Sequence, residues 1–165
     1  MWCFELHQYE NDEQNGFGSF VWKNGSHFCG FWLNGKRHGF GIFTNGTVPR
    51  NSSYKGNWNH DKMDGYGILK DTFNYKNGPG IISYEGIFRD NMKCGIGTLT
   101  ARDNKYVGEF FNDTPHGFGV MTDNKDELNP LYTRMDGLFY QGQLYVGTVK
   151  MFMCVRLFSF FTESP

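Results

Sequence analysis

Proline and cysteine are scarce in this chain of 165 residues, with 5 and 4 copies, and no excess of either charge is present, since 16 Lys and Arg stand against 17 Asp and Glu. A formal charge of −1 gives no general attraction to nucleic acid or to an anionic membrane, and the densest basic run is only Lys36, Arg37 and His38. No apolar run is long enough for a spanning helix. The cysteines Cys3, Cys29, Cys94 and Cys154 form no Cys-x-x-Cys pair, and the start Met1-Trp2-Cys3-Phe4-Glu5 has neither the basic region nor the apolar core of a secretory signal. Reduced thiols and a cytoplasmic location are therefore expected. The Asn-x-Ser/Thr triplets at Asn24, Asn45, Asn51 and Asn112 would matter only in a secreted chain and are read as chance.

What the chain does have is glycine and aromatic rings: 22 Gly, 17 Phe, 9 Tyr and 4 Trp. So many rings give a burial capacity that disordered segments lack. Glycine at that frequency, without a third-position period, opposes a helical bundle and points to tight turns and close backbone contacts. An all-β fold follows.

A repeat runs along most of the chain. An aromatic residue, Gly two residues on and a bulky ring two further on are followed by a Gly-x-Gly whose glycines lie nine and eleven residues after the first Gly. The pattern reads Phe28, Gly30, Trp32, Gly39, Gly41, and then Tyr54, Gly56, Trp58, Gly65, Gly67. It continues as Tyr84, Gly86, Phe88, Gly95, Gly97, and as Tyr106, Gly108, Phe110, Gly117, Gly119. Tyr9, Gly16 and Gly18 retain the second half of a unit; Gly137, Phe139 and Gly147 retain parts of a last one. Extra residues after the Gly-x-Gly, around 48–51, 74–80 and 123–130, predict loops.

Within a unit, Tyr54, Gly56 and Trp58 share one parity and Lys55 and Asn57 the other, which is the alternation of a half-buried strand. Polar turn formers such as Asn34-Gly35-Lys36-Arg37 separate the two halves, so each unit predicts a β-hairpin. Glycine inside strands suggests hollows where rings lie against backbone. The rings between paired glycines, Phe40, Tyr66 and Phe118, with Ile96 the aliphatic exception, are the expected occupants of that packing.

The run Phe28-Cys29-Gly30-Phe31-Trp32-Leu33-Asn34-Gly35-Lys36-Arg37-His38-Gly39-Phe40-Gly41 resembles a MORN repeat (membrane occupation and recognition nexus). The resemblance covers about residues 28–149. It implies an elongated, twisted single antiparallel sheet of about six stacked hairpins, divided into a degenerate half-repeat over 1–27, the array over 28–149 and an apolar cap or tail over 150–165. The turn glycine Gly35 becomes Asp61, Asn91 and Asp113 in later units, residues that tolerate a left-handed turn.

Chemistry is sparse. No Gly-x-Gly continues into a dinucleotide fingerprint, and Gly35-Lys36-Arg37 lacks the remainder of a phosphate loop. His38, Asp64, Cys94 and His116 occupy one repeat position, but equivalent strands two steps apart lie roughly 9.5 Å from one another, too far for one tetrahedral ion. No catalytic residue, cofactor or metal is expected. The sequence reads as a non-catalytic scaffold for a protein partner, with an aromatic face suited to an amphipathic helix and Trp32, Tyr54, Trp58, Tyr84 and Phe88 as contact candidates. The family resemblance implies a cytoskeletal or ciliary setting. The alternatives are a phosphoinositide or membrane-surface module, against which the balanced charge counts, and a regulatory part of a larger enzyme.

Overall fold

A computed structural model describes residues 9–10, 13–46, 51–75, 78–101, 104–123 and 131–153, and every regular element in them is a β-strand. A short pair, β1 (Tyr9–Glu10) and β2 (Glu13–Gln14), precedes the main sheet. The sheet then runs through β3 (Gly16–Val21), β4 (His27–Leu33), β5 (Lys36–Asn45), β6 (Asn51–Asn59), β7 (Lys62–Tyr75) and β8 (Gly78–Arg89). It continues with β9 (Met92–Thr100), β10 (Asn104–Phe111), β11 (Thr114–Asp123), β12 (Leu131–Tyr140) and β13 (Gln143–Met153). All eleven strands from β3 to β13 follow chain order, each antiparallel to the next. The expected stacked-hairpin sheet is what forms.

The glycines explain how one open sheet holds a core. Each of the eleven strands contributes one glycine to a stripe crossing the whole sheet: 18, 30, 41, 56, 67, 86, 97, 108, 119, 137 and 147 face one another in register. On one face, here the spine face, the rings of Phe28, Tyr54, Tyr84 and Tyr106 lie over that stripe. They meet Trp32, Trp58, Phe88, Phe110 and Phe139 edge to face, with successive ring centroids 4.9 to 5.5 Å apart. The result is a continuous buried spine.

The two glycines of each Gly-x-Gly do different work. A Cβ on Gly97 would meet the Tyr84 hydroxyl at 2.5 Å, so the second glycine leaves room for a ring. The first, represented by Gly39 at φ 65 and Gly65 at φ 98, allows a bulge at which the hairpin ladder skips two residues, passing from Gly30–Gly41 to Trp32–Arg37. The rings between the glycines do not fill the hollow, contrary to the sequence-based expectation. Phe40, Tyr66 and Phe118 point to the opposite, outer face and are exposed, because strict alternation sends the residue between two inward positions outward.

Neighbouring hairpins are joined by a repeated clamp at their turns. Asp61, Asn91 and Asp113 take left-handed conformations with φ 70, 70 and 68. The Asp61 amide donates to the Arg37 carbonyl at 3.0 Å while its carboxylate accepts the Arg37 amide at 3.0 Å. Asn91 makes the same pair of bonds with Met63, and Asp113 with Lys93. At the next hairpin the residue met is Pro115, which has no amide to give, and the clamping position is Gly142, which has no side chain to receive one; only the Gly142 amide to Pro115 carbonyl bond remains, at 2.9 Å.

Two expectations change. The extra residues at 74–80 lengthen the β7–β8 ladder, pairing 74 with 79 and 75 with 78, because the alternation of the strands carries on past the repeat. Cys29 is disulfide-bonded whereas Cys94 is a free thiol, so thiols reduced throughout do not hold; linear spacing carries no record of which sulfurs the fold brings together. Of the loops read around 48–51 and 123–130 and the cap or tail read over 150–165, Asn51 opens β6, Asp123 closes β11 and residues 150–153 end β13, while the remainder lies outside the described residues.

Candidate partner-binding groove

The spine face presents a groove along the array. Its floor is the ring spine. One wall is Phe43, Leu69, Leu99, Met121 and Met135, which pack against the spine while keeping part of their surface open. The other is set by the bulges, which bring Arg37, Met63 and Lys93 opposite Trp32, Trp58 and Phe88.

Arg37 divides the N-terminal half of the groove. Its guanidinium lies 4.2 Å from the Trp58 ring centroid and 5.5 Å from that of Phe43. Asp61 fixes it there, accepting from Nε on Oδ1 at 2.9 Å and from Nη2 on the backbone carbonyl at 3.0 Å. A hollow of about 450 Å³ lies on one side, lined by Phe20, Trp22, Trp32 and Arg37 among others. A second of about 280 Å³, lined by residues including Phe43, Trp58, Met63 and Leu69, lies on the other. Further along, Lys93 repeats the arrangement more loosely, with Nζ 5.7 Å from the Tyr84 ring and 3.3 Å from Asp113. On the wall away from the turns, Asp71 Oδ1 is buried without a hydrogen-bond partner.

The five rings expected to meet a partner are brought together, but as floor. Tyr54, Tyr84 and Phe88 are about 1% exposed, Trp58 5% and Trp32 8%. Their polar atoms are already used: the Tyr54 hydroxyl donates to the Asn57 carbonyl at 2.9 Å, and the Tyr84 hydroxyl to Ile87 at 3.0 Å. The Trp32 and Trp58 indole N–H groups donate to the Gly18 and Gly41 carbonyls. Burial, reinforced by Asp64, raises the Tyr54 pKa, and burial pushes Tyr84 up to about 12. The side chains open to a partner are therefore Arg37, Met63, Leu69, Leu99, Met121 and Met135. Their signal is present in the alternation, once it is carried through the bulge.

His38 stands in a bulge and points toward the next turn, its ring centroid 5.2 Å from that of His60, with Nδ1 buried and unpaired. His116 meets Phe111 and Tyr140 instead. Among the described residues no three His, Cys, Asp or Glu side chains gather as metal ligands, and no helix is long and apolar enough to cross a membrane.

The sequence matches the family described as MORN repeat over residues 8–27, 28–48, 54–72, 84–105 and 106–125. It is similar to the protein named Alsin from Mus musculus, with 33% identity over 154 residues that take in 81% of this chain, and to Alsin from Homo sapiens, with 29% identity over the same share. The chain spans 9% of the length of these relatives.

Proposed function

The chain belongs to the MORN repeat family, and on that footing we propose that it is a non-catalytic scaffold whose spine-face groove takes an amphipathic helix of a protein partner. The observation that carries this reading is the wall of Leu69, Leu99, Met121 and Met135, half-open against a fixed ring floor. Methionine adapts to irregular apolar partners, and a rigid floor limits the ordering cost of binding. The dimensions agree as well. Equivalent positions on successive hairpins lie roughly 9.5 Å apart, and a helix advances about 10.5 Å in seven residues. A helix lying along the array can thus place one apolar anchor on each hairpin.

We place the scaffold in the cytoplasm at a cytoskeletal or ciliary structure, a placement that the family resemblance supports. A second reading, a regulatory segment of a larger protein, is favoured by the 9% share of the relatives' length. Affinity capture with the intact chain, repeated with Leu69→Asp and Leu99→Asp, tests the groove. Variants that keep the parent's circular dichroism and Tm are expected to lose the captured protein. Unchanged capture by folded variants would remove the groove as the site.

A further inference from the structure

The outer face carries an exposed apolar belt that the groove leaves untouched. Phe31, Phe40, Tyr66, Ile87, Ile96 and Phe118 stand on it beside the glycine stripe, with Ile96 72% and Phe118 67% exposed. The belt crosses most of the sheet, broken by Asn57 on β6 and Glu109 on β10, and is larger than the scattered surface hydrophobics of a monomer. We propose that this face joins two copies of the chain, packed back to back about a two-fold axis along β9.

Charge placement selects the axis. Two rows of outer-face positions run in register beside the belt. One row reads Ser53, Lys70, Ser83, Thr100, Lys105, Thr122, Arg134 from β6 to β12. The other reads Lys55, Ile68, Glu85, Thr98, Val107, Val120, Asp136. A two-fold axis along a strand opposes strands equally distant from it, row by row. An axis on β6, β7, β8 or β10 sets Lys55, Lys70, Glu85 or Glu109 against its own copy, and one on β11 sets Lys105 against Arg134. An axis on β9 opposes no like charges. There Lys55 meets Asp136, whose carboxylate also holds the Arg134 guanidinium of its own chain at 2.9 Å, while Lys70 and Lys105 meet the hydroxyls of Thr122 and Ser83.

The belt agrees with the same axis. Ile96 falls on it and meets its own copy, and Tyr66 meets Phe118. Glu85 and Glu109 come opposite Val107 and Ile87, but each has a partner within its own chain: Glu85 accepts the Tyr66 hydroxyl, and Glu109 accepts the Phe118 amide at 3.2 Å. Seven strands and three rows cover roughly 700 Å² per copy, close to the roughly 800 Å² that each partner contributes to a standard interface. The spine-face groove stays open in such a dimer.

Sedimentation equilibrium of the full chain tests this. The expected result is a monomer–dimer equilibrium in which Ile96→Glu, placing two carboxylates on the axis, raises the dissociation constant at least about a hundredfold. Ile96 is exposed, so the fold is expected to survive, and circular dichroism and Tm verify that. Lys55→Asp and Asp136→Lys should each weaken the dimer about tenfold, and together restore it. A monomer at every concentration up to about 100 µM, a dimer indifferent to Ile96→Glu, or failure of the paired exchange to restore association would overturn the proposal. So would a monomeric parent that sediments with phosphatidylserine vesicles and loses that ability in Ile96→Glu, which would assign the face to lipid.

Discussion

Tyr84 lies over Gly97 so closely that a single added carbon on the glycine would come within 2.5 Å of the tyrosine hydroxyl. The hydroxyl is held by the Ile87 carbonyl at 3.0 Å, so the ring has little freedom to withdraw. Intrinsic strand preference and packing therefore have opposite signs at this position.

Gly97→Val and Gly67→Val should both destabilise the array by about 1–3 kcal/mol or more, despite the better β-propensity of valine. Thermal melting measures it. An unchanged or higher Tm in both variants would refute the account of the glycine stripe.

Tyr54→Phe and Tyr106→Phe each remove a hydroxyl bonded to a backbone carbonyl, of Asn57 and Glu109. Phe28 already fills the corresponding place in its hairpin. Each loss is expected to be modest, about 1 kcal/mol, and folded protein with native circular dichroism should be recovered. Collapse of the fold on either change would show that the hydroxyl, rather than the ring, organises the spine.

Tyr84 also sets an alkaline limit. Its folded pKa is raised to about 12 by burial, so the neutral phenol is the form that the fold favours. The stabilisation is complete below the ordinary tyrosine pKa of about 10 and is lost as pH climbs from there through 12. Spectrophotometric titration should show the spine tyrosines ionising above the ordinary tyrosine pKa and together with unfolding. Ionisation of every tyrosine near pH 10 in folded protein would contradict it.

The clamp at the turns predicts a coupled pair. Gly142→Asp alone finds no amide on Pro115, and Pro115→Arg alone finds no carboxylate. The double variant should rebuild the Arg37–Asp61 arrangement, making the two changes non-additive by about 1 kcal/mol in favour of stability. Additive effects in a double-mutant cycle would count against the clamp.

A chelator should leave the melting curve of the chain unchanged, because His38 and His60 are the only described imidazoles in mutual contact and no third ligand joins them. A fall in Tm on metal removal, reversed by zinc, would show otherwise.

The fold was legible because hairpin period, turn residues and glycine spacing all agree, and Asp61, Asn91 and Asp113 could be recognised as left-handed turns from their residue type alone. Their second task was not legible, since the amides of Arg37, Met63 and Lys93 meet them only after neighbouring hairpins stack. Tyr54 and Phe40 show the limit at the candidate site. Both are rings beside glycines, yet one is floor and the other surface, and the difference depends on which parity faces the spine. Arg37 was readable as a charge but not as the divider of two hollows, because the two residues skipped at the bulge place it opposite Trp32.

The strict chain order of β3 to β13 has a mechanical consequence. Since no strand is locked between sequence-distant neighbours, a pull on the two ends of the chain loads the hairpins in series, and the outermost, paired on one side only, is the first to yield. Rupture then proceeds as a series of small yields, each releasing one repeat of 22 to 30 residues and roughly 75–100 Å of chain. Such an assembly gives way progressively under tension and re-forms from whichever hairpins remain, behaving as an extensible tether instead of a rigid strut.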